Sequence, residues 1–422
     1  MNNNNSKTRW LRFLLKSLGP GVITGAADDD PSGIATYSVA GAQLGTKLLW
    51  TAFLTWPLMA AVQIMCARIG MVTGRGMAGN LKRRFPAWLL GIFVLSLLIA
   101  NTINIAADLA GMADAAEMLT KVDSRISVVV FATLISWATV RLRYQQIANA
   151  LKWLVLVLFA YPITAFVAVA DWKSVIHATF IPSLPHSRDE WSTLVAILGT
   201  TISPYLFFWQ ASQEVEEEKA AGFTTAESRK GATPMELQAR QIDVGVGSFF
   251  SNLVMYFIIL TTAITLHSHG ITKIETSRQA AEALKPLAGN FAATLFTVGI
   301  LGVGFLAIPT LAGSAAYACA ETFRWRQGLD KSLKQARYFY AIILLSTGAA
   351  VCLNFAGINP VKALYWTAVI NGLLAPFLLL AILIVASDRK LMQWQPSSRL
   401  GWVLVAITTA VMFAAGVAMF VV

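Results

Sequence analysis

The chain has 422 residues, of which 56% are hydrophobic and only 13% charged, with a mean hydropathy of +0.61. Soluble domains carry roughly 25% charged residues and have no need of repeated apolar runs of about 20 residues. The composition therefore excludes a soluble enzyme, a DNA-binding protein and a disordered scaffold, and points to an integral membrane protein. The excess of 33 Lys and Arg over 22 Asp and Glu, a net charge of +11, is read as the bias that keeps basic connectors on the cytoplasmic side, not as affinity for nucleic acid.

Residues 1–16 are Asn-rich and then basic (Lys7, Arg9, Arg12, Lys16). No small-residue cleavage site follows, so this start is not read as a cleavable signal. Apolar segments then occur at about 11–45, 48–72, 88–112, 126–141, 149–170, 191–213, 243–266, 292–320, 337–355, 361–386 and 401–422. These make eleven crossings if the first, which Asp28–Gly33 (DDDPSG) interrupts, counts once. Two observations favour one broken crossing over a hairpin of two. The stretch after the interruption is too short to cross a bilayer, which takes about 20 residues. With one crossing, 23 of the 33 basic residues fall on the side of the N-terminus. That asymmetry places the N-terminus in the cytoplasm and the C-terminus outside.

The sixth segment, STLVAILGTTISPYLFFWQASQ, carries Pro204 at mid-membrane depth, where a missing amide hydrogen and a bulky ring unwind the helix. Two Pro-interrupted spans at corresponding places in two five-span halves point to an inverted-repeat transporter with its binding site at the breaks. Asp28, Asp29 and Asp30 carry the strongest chemical signal, because three adjacent carboxylates cannot all be ionised in a low dielectric without a cation or bound protons. With the freed backbone carbonyls and the hydroxyls of Ser32, Thr200, Ser203 and Tyr205, they make a hard oxygen donor set suited to Mg2+ or Mn2+. Asp30, just before Pro31, is expected at the break itself. Asp28 and Asp29, about 100° apart on the last turn before it, are expected to point in different directions.

Asp108 in the third segment is either a proton-relay group or a structural partner of a break. Asn252 and Asn371 read more readily as hydrogen-bonding glue between helices. Glu214, Glu216, Glu217 and Glu218 follow the sixth segment as a solvated face or as a cation-attracting mouth. The cysteines, Cys66, Cys319 and Cys352, read as small buried hydrophobes.

GPGVITGAADDDPSGIATYSVAGAQLG resembles the first span of the Nramp divalent-metal transporters, in which GP precedes a DPGN motif. The resemblance continues through AADLAG in span 3, ILGTTISPYL in span 6, the Asp243–Asn252 pattern in span 7 and NGLLAPF in span 10. It implies one all-α transmembrane domain over 1–422 with a LeuT-like inverted repeat of five plus five helices. The halves would be 11–172 and 190–386, with 400–422 as an eleventh helix, and spans 1 and 6 would be broken. The family's binding Asp falls on Asp30. Its binding Asn falls on Gly33, its Met on Ser203 and its first span-6 His on Tyr205. A second span-6 His falls on Gln210, a span-10 Gln on Ala368, and two span-3 acids on Asn101 and Gly111.

The metal-site candidates are thus Asp30, Asp28, Asp29, Gly33, Thr200, Ser203 and Tyr205. An ion or proton path is sought along Asp108, Asn101, Gln210, Asn252, Asn371 and Glu214. Loss of the thioether and of the titratable groups implies a branch similar to the Mg2+-transporting relatives: altered selectivity for divalent metal and weak or absent proton coupling. The metal is the substrate, and no cofactor is expected. The expected partners are divalent metal ions and the lipid bilayer, without nucleic acid, and the chain is expected to act as a monomer. Two alternatives are a LeuT-fold carrier of an amino acid or other organic solute and an intramembrane hydrolase using Asp30 and Asp108. A metal sensor is a third, without a large soluble domain to relay its signal.

Overall fold

The computed structural model describes residues 27–142 and 156–422, together with Gly25 and Gln146. Basic residues Lys7, Arg9, Arg12, Lys16, Arg143 and Lys152, and most of the first half of span 1, lie outside these. Among the described residues no strand occurs. Among these residues nine helical stretches, one of them running across the break at 202–203, are long and apolar enough to cross a membrane. The segment after the DDDPSG break and the short apolar helix at Val157–Ala168 account for the other two crossings read from the sequence.

Helix α1 (Pro31–Leu44) starts at the break and ends at Gly45, whose φ of +59° lets the chain turn. Helix α2 (Trp50–Thr73) closes on Gly74 in the left-handed conformation, a glycine stop. The short basic helix α3 (Met77–Arg84) leads into α4 (Ala87–Thr120) and α5 (Ser124–Arg141). Helices α6 (Ala160–Ala168) and α7 (Trp172–Phe180) follow. Span 6 is two helices, α8 (Arg188–Thr201) and α9 (Pro204–Ala220), joined through Ile202 and Ser203. Then follow α10 (Pro234–Thr265), the short α11 (Ser277–Glu282) and α12 (Lys285–Ala288), α13 (Ala292–Phe323), α14 (Arg337–Asn354), α15 (Pro360–Ser387) and α16 (Arg399–Val421).

Helices α10 and α4 are among those that overrun their apolar segments. The α10 helix begins nine residues early because Thr233 and Glu236 form a reciprocal capping box ahead of Pro234, so its first turns are held without hydrophobic burial. The α4 helix continues to Thr120 through ADAAEMLT, good helix formers that need no lipid.

The helices pack in two groups. In one, α1 lies against α10 and α8, and α2 against α9 and α10; in the other, α4, α5, α13 and α14 pack together. The α15 helix touches α1, α4 and α8, and α9 touches α13, so span 6 sits between the groups. The apolar part of span 6 is almost wholly enclosed, whereas α5, α14 and α16 expose most of theirs. Their outward side chains, such as Trp137, Leu345 and Phe420, are those a lipid environment solvates. Cys352 is exposed on α14 rather than buried like Cys66 and Cys319, because its helix is peripheral.

Close approach around span 6 requires glycine. A Cβ on Gly199 would lie 2.1 Å from the Ala368 carbonyl oxygen and 2.2 Å from the Gly372 nitrogen, both backbone atoms of α15. Gly199→Ala is therefore expected to destabilise the protein by about 1–3 kcal/mol, read as a lower melting temperature in detergent. Gly348→Ala, where an added Cβ meets no atom within 4 Å, should melt with the wild type.

Candidate functional site

The helical turn before the first break includes Asp28; the chain bends at Asp29 and α1 starts at Pro31. Asp30, in extended geometry as expected before proline, is the N-cap of α1: its Oδ1 accepts from the Gly33 amide at 2.7 Å. Its Oδ2 accepts from Asn104 Nδ2 on α4 at 3.2 Å. Asp28 and Asp29 converge where the sequence places them apart. The Ser251 hydroxyl of α10 lies 2.7 Å from Asp28 Oδ2 and 3.3 Å from Asp29 Oδ1. The cause is local: the helix has ended by Asp29, so the 100° spacing of a regular turn does not apply.

Span 6 breaks opposite. Ser203 is extended with Pro204 after it, and its hydroxyl donates to the Gly199 and Thr200 carbonyls at 2.8 and 2.7 Å. It thereby satisfies carbonyls that the end of α8 leaves unpaired. From the first turn of α9, the Tyr205 hydroxyl donates to the Ala27 carbonyl at 2.9 Å. The Tyr37 and Thr201 hydroxyls are 3.2 Å apart. The two breaks are thus joined by side chains from both spans.

Asp108 lies one helical turn beyond Asn104, the residue that donates to Asp30, on the same face of α4. Asp28, Asp30 and Asp108 are all buried. Asp28 Oδ1 and both Asp108 carboxylate oxygens have no hydrogen-bond partner among the described residues. Buried unpaired carboxylate oxygens are costly, and here they lie at the span-1 break and on α4 beside it. A Cβ on Gly33 would be 3.2 Å from Thr200 Oγ1 and 3.4 Å from the Asp28 carbonyl oxygen, so Gly33 and Thr200 abut across the junction. Ser32 Oγ donates to the Leu364 carbonyl at 3.2 Å and lies 3.4 Å from Thr367 Oγ1, tying α1 to α15.

The structure therefore brings together Asp28, Asp29, Asp30, Gly33, Thr200, Ser203, Tyr205 and Asp108. Asn101, Asn252 and Gln210 are engaged elsewhere. Asn101 donates to the Leu311 carbonyl at 2.9 Å and to Ser314 Oγ at 2.8 Å, joining α4 to α13. Asn252 accepts from Thr55 at 2.7 Å and reaches the Ser248 carbonyl at 2.9 Å, joining α10 to α2. Asn371 is buried on α15, one turn beyond Thr367.

Gln210 donates to Glu214 at 2.6 Å, and Glu214 pairs with Arg240 at 2.8 Å. Arg240 also binds Glu217 and Asp243. Glu216 pairs with Lys219, and Glu218 with Arg229. The acidic run is thus largely neutralised, instead of forming a solvated face. The sequence reading missed Asn104 and Ser251. Asn104 precedes Asp108 by four residues and so shares its helix face, a signal that was present. Nothing in the apolar sequence around Ser251 distinguishes that serine from any other.

Ser251→Ala would remove the hydroxyl shared by two buried carboxylates. It should cost about 1–3 kcal/mol in melting experiments on metal-free protein, while Ser251→Thr melts near the wild type. An unchanged melting temperature in the Ala variant would mean that the hydroxyl does not support the acids.

The family model described as natural resistance-associated macrophage protein-like (Nramp) matches residues 21–422. A relative named divalent metal cation transporter MntH, from Caldanaerobacter subterraneus subsp. tengcongensis, is 27% identical over 409 residues, covering 94% of this chain and 91% of its own. Another of that name, from Deinococcus radiodurans, is 25% identical over 417 residues, covering 95% and 89%. Among solved structures, the Eremococcus coleocola manganese transporter in complex with an aromatic bis-isothiourea substituted compound superposes with a TM-score of 0.73 at 19% identity, covering 97% of this chain and 87% of its own. Mhp1, a nucleobase-cation-symport-1 family transporter, gives a TM-score of 0.59 at 14% identity, covering 96% and 90%. The fold is the all-helical LeuT-like arrangement, and the chain belongs to the Nramp family.

Proposed function

We propose that the chain is a secondary transporter of divalent metal ions of the Mg2+/Mn2+ class, working by alternating access with little or no proton cotransport. The observation that carries this reading is the burial of Asp28, Asp29 and Asp30 at the span-1 break with Asp108 on the adjoining α4, where oxygens of Asp28 and Asp108 have no hydrogen-bond partner among the described residues. Family membership and relatives named divalent metal cation transporters support it. They also favour a carrier over the hydrolase reading of Asp30 and Asp108. The convergent acids disfavour a substrate that presents a carboxylate, as an amino acid does.

The donors at the junction are oxygens: carboxylates, the Thr200, Ser203 and Tyr205 hydroxyls, and freed carbonyls. Hard oxygen ligands select hard cations. Among the described residues no three His, Cys, Asp or Glu side chains form a ready metal-holding group. An ion there would complete its shell with carbonyls and its own water, which suits Mg2+ because it dehydrates reluctantly. Proton coupling is assigned a minor part because Tyr205, Gln210, Asn101 and Gly111 occupy positions where Nramp relatives carry titratable groups. The repeats are taken as 11–172 and 190–386 with an added helix at 400–422. The protein acts as a monomer with its N-terminus cytoplasmic and its C-terminus outside.

Uptake into proteoliposomes across a panel of divalent ions, with internal pH recorded, tests the proposal. Mg2+ or Mn2+ should enter without acidification in fixed ratio to the metal; stoichiometric acidification would overturn the coupling assignment, and no divalent uptake would overturn the whole reading. In that assay Asp30→Ala should abolish transport. Asp28→Ala and Asp29→Ala should raise apparent KM more than they lower the maximal rate. Near-normal transport in Asp30→Ala would remove Asp30 from the site.

Ser203→Met should raise Cd2+ transport relative to Mg2+, since thioether sulfur favours softer ions. An unchanged ion ranking would mean that the Ser203 side chain does not line the path.

A further inference from the structure

We infer a second binding site, for a phosphate-bearing anion, in a cavity at the basic face of the protein. The cavity is about 640 Å³, within the range of small-molecule sites. Lys219, at its rim, lies 15 residues beyond Pro204 on the same helix, roughly 22 Å from the break along the axis.

Three separate connectors supply its cations: Arg75 after α2, Lys219 and Arg229 at and after the end of α9, and Arg324, Arg326 and Lys331 after α13. Glu321 is the one acid in the lining. It is committed to structure, accepting from the Gly79 amide at 2.8 Å and from Gln327 Nε2 at 3.2 Å. Two cations are also committed. Lys219 pairs with Glu216 at 2.8 Å. Arg229 lies 4.0 Å from Glu218 and donates to the Gly74 and Phe223 carbonyls, holding two connectors together. Among the described residues Arg75, Arg324, Arg326 and Lys331 make no ion pair.

The positive-inside bias explains why these residues lie on one face. It does not explain why residues from three connectors line one cavity whose single lining acid is already hydrogen-bonded to Gly79 and Gln327. Like charges around a shared cavity repel, so the arrangement is complete only with an anionic occupant. Guanidinium groups match phosphate through paired N–H donors, and the volume exceeds what a bare halide would fill. The rim is held in place by packing. Gly74 and Arg324 are both left-handed helix stops, and a Cβ on Gly74 would meet Arg229 Cβ at 2.6 Å. The indole of Trp325, which lines the cavity, stacks on Phe323 with ring centroids 4.9 Å apart. A bound phosphate would link the end of α9 to the connector after α13, and so the two helix groups to each other.

The phosphate could belong to a soluble polyphosphate or to a lipid headgroup, and melting of the purified protein without divalent ions separates these. The probes are inorganic pyrophosphate at constant ionic strength, and detergent micelles containing phosphatidylglycerol against micelles containing phosphatidylcholine. At least one phosphate probe should raise the melting temperature saturably. Pyrophosphate alone would mark a soluble ligand, and phosphatidylglycerol alone a headgroup. Arg324→Gln with Arg326→Gln should weaken the effect at least tenfold in concentration, and Lys390→Gln, an exposed cation outside the cavity, should leave it intact. If the double variant does not fold, Lys331→Gln alone should still weaken it. Stabilisation by neither probe, or equal stabilisation in wild type and cavity variants, would overturn the inference. The readout is independent of transport, so its failure leaves the proposed function standing, and the converse also holds.

Discussion

A helix broken inside a membrane leaves peptide groups that water cannot satisfy, so the protein must supply every partner itself. Two such breaks face each other here, and much of the surrounding sequence answers that demand. Asp30 caps the start of α1, the Ser203 hydroxyl turns back onto the last carbonyls of α8, and Tyr205 reaches across to the Ala27 carbonyl. The same arrangement concentrates carboxylates. Asp30 shares its two oxygens between a helix cap and Asn104, while Asp28 and Asp29 share one serine hydroxyl. That leaves oxygens on Asp28 and Asp108 without a donor among the described residues. Capping the breaks and creating an acidic junction are thus one structural act.

The junction is held by close helix approach on one side and by polar links on the other. Glycines bring backbones together where side chains would keep them apart: Gly41 against Ile259 and Thr262, Gly199 against Ala368 and Gly372. In lipid, where burial of apolar surface drives little association, such small-residue contacts and interhelical hydrogen bonds carry the packing. Asn101 and Asn252 serve as such links, each joining a pair of helices away from the junction. Nearer the basic face, Arg240 gathers Glu214, Glu217 and Asp243 into one network between α9 and α10. An arginine with three carboxylates is far better balanced than a run of glutamates on one helix would be.

Much of this was legible in the residues alone. Apolar runs of membrane-spanning length set the number of crossings, because the bilayer thickness fixes how long a helix must be. Pro31 and Pro204 marked the breaks, since proline removes a donor and forbids helical geometry just before it. Asp30 was placed at the break by that same local rule. The Thr233–Glu236 capping box was also readable, although the apolar pattern drew attention away from it.

What the sequence could not decide were contacts between elements far apart in the chain. Ser251 meets Asp28 and Asp29 across more than two hundred residues, and no local pattern encodes which serine of α10 faces span 1. The direction of Asp29 depended on where the helix ended, and the chain has already bent at that residue. Glu214 and Glu217 after span 6 are neutralised by Arg240 from another helix, and the four cavity cations that make no ion pair among the described residues come from connectors that only folding brings together. Local rules such as span length, proline geometry and helix capping act within a few residues and are therefore written in the sequence. The partner of a buried charge is set by the packing of whole helices, so it was decided only in the tertiary structure.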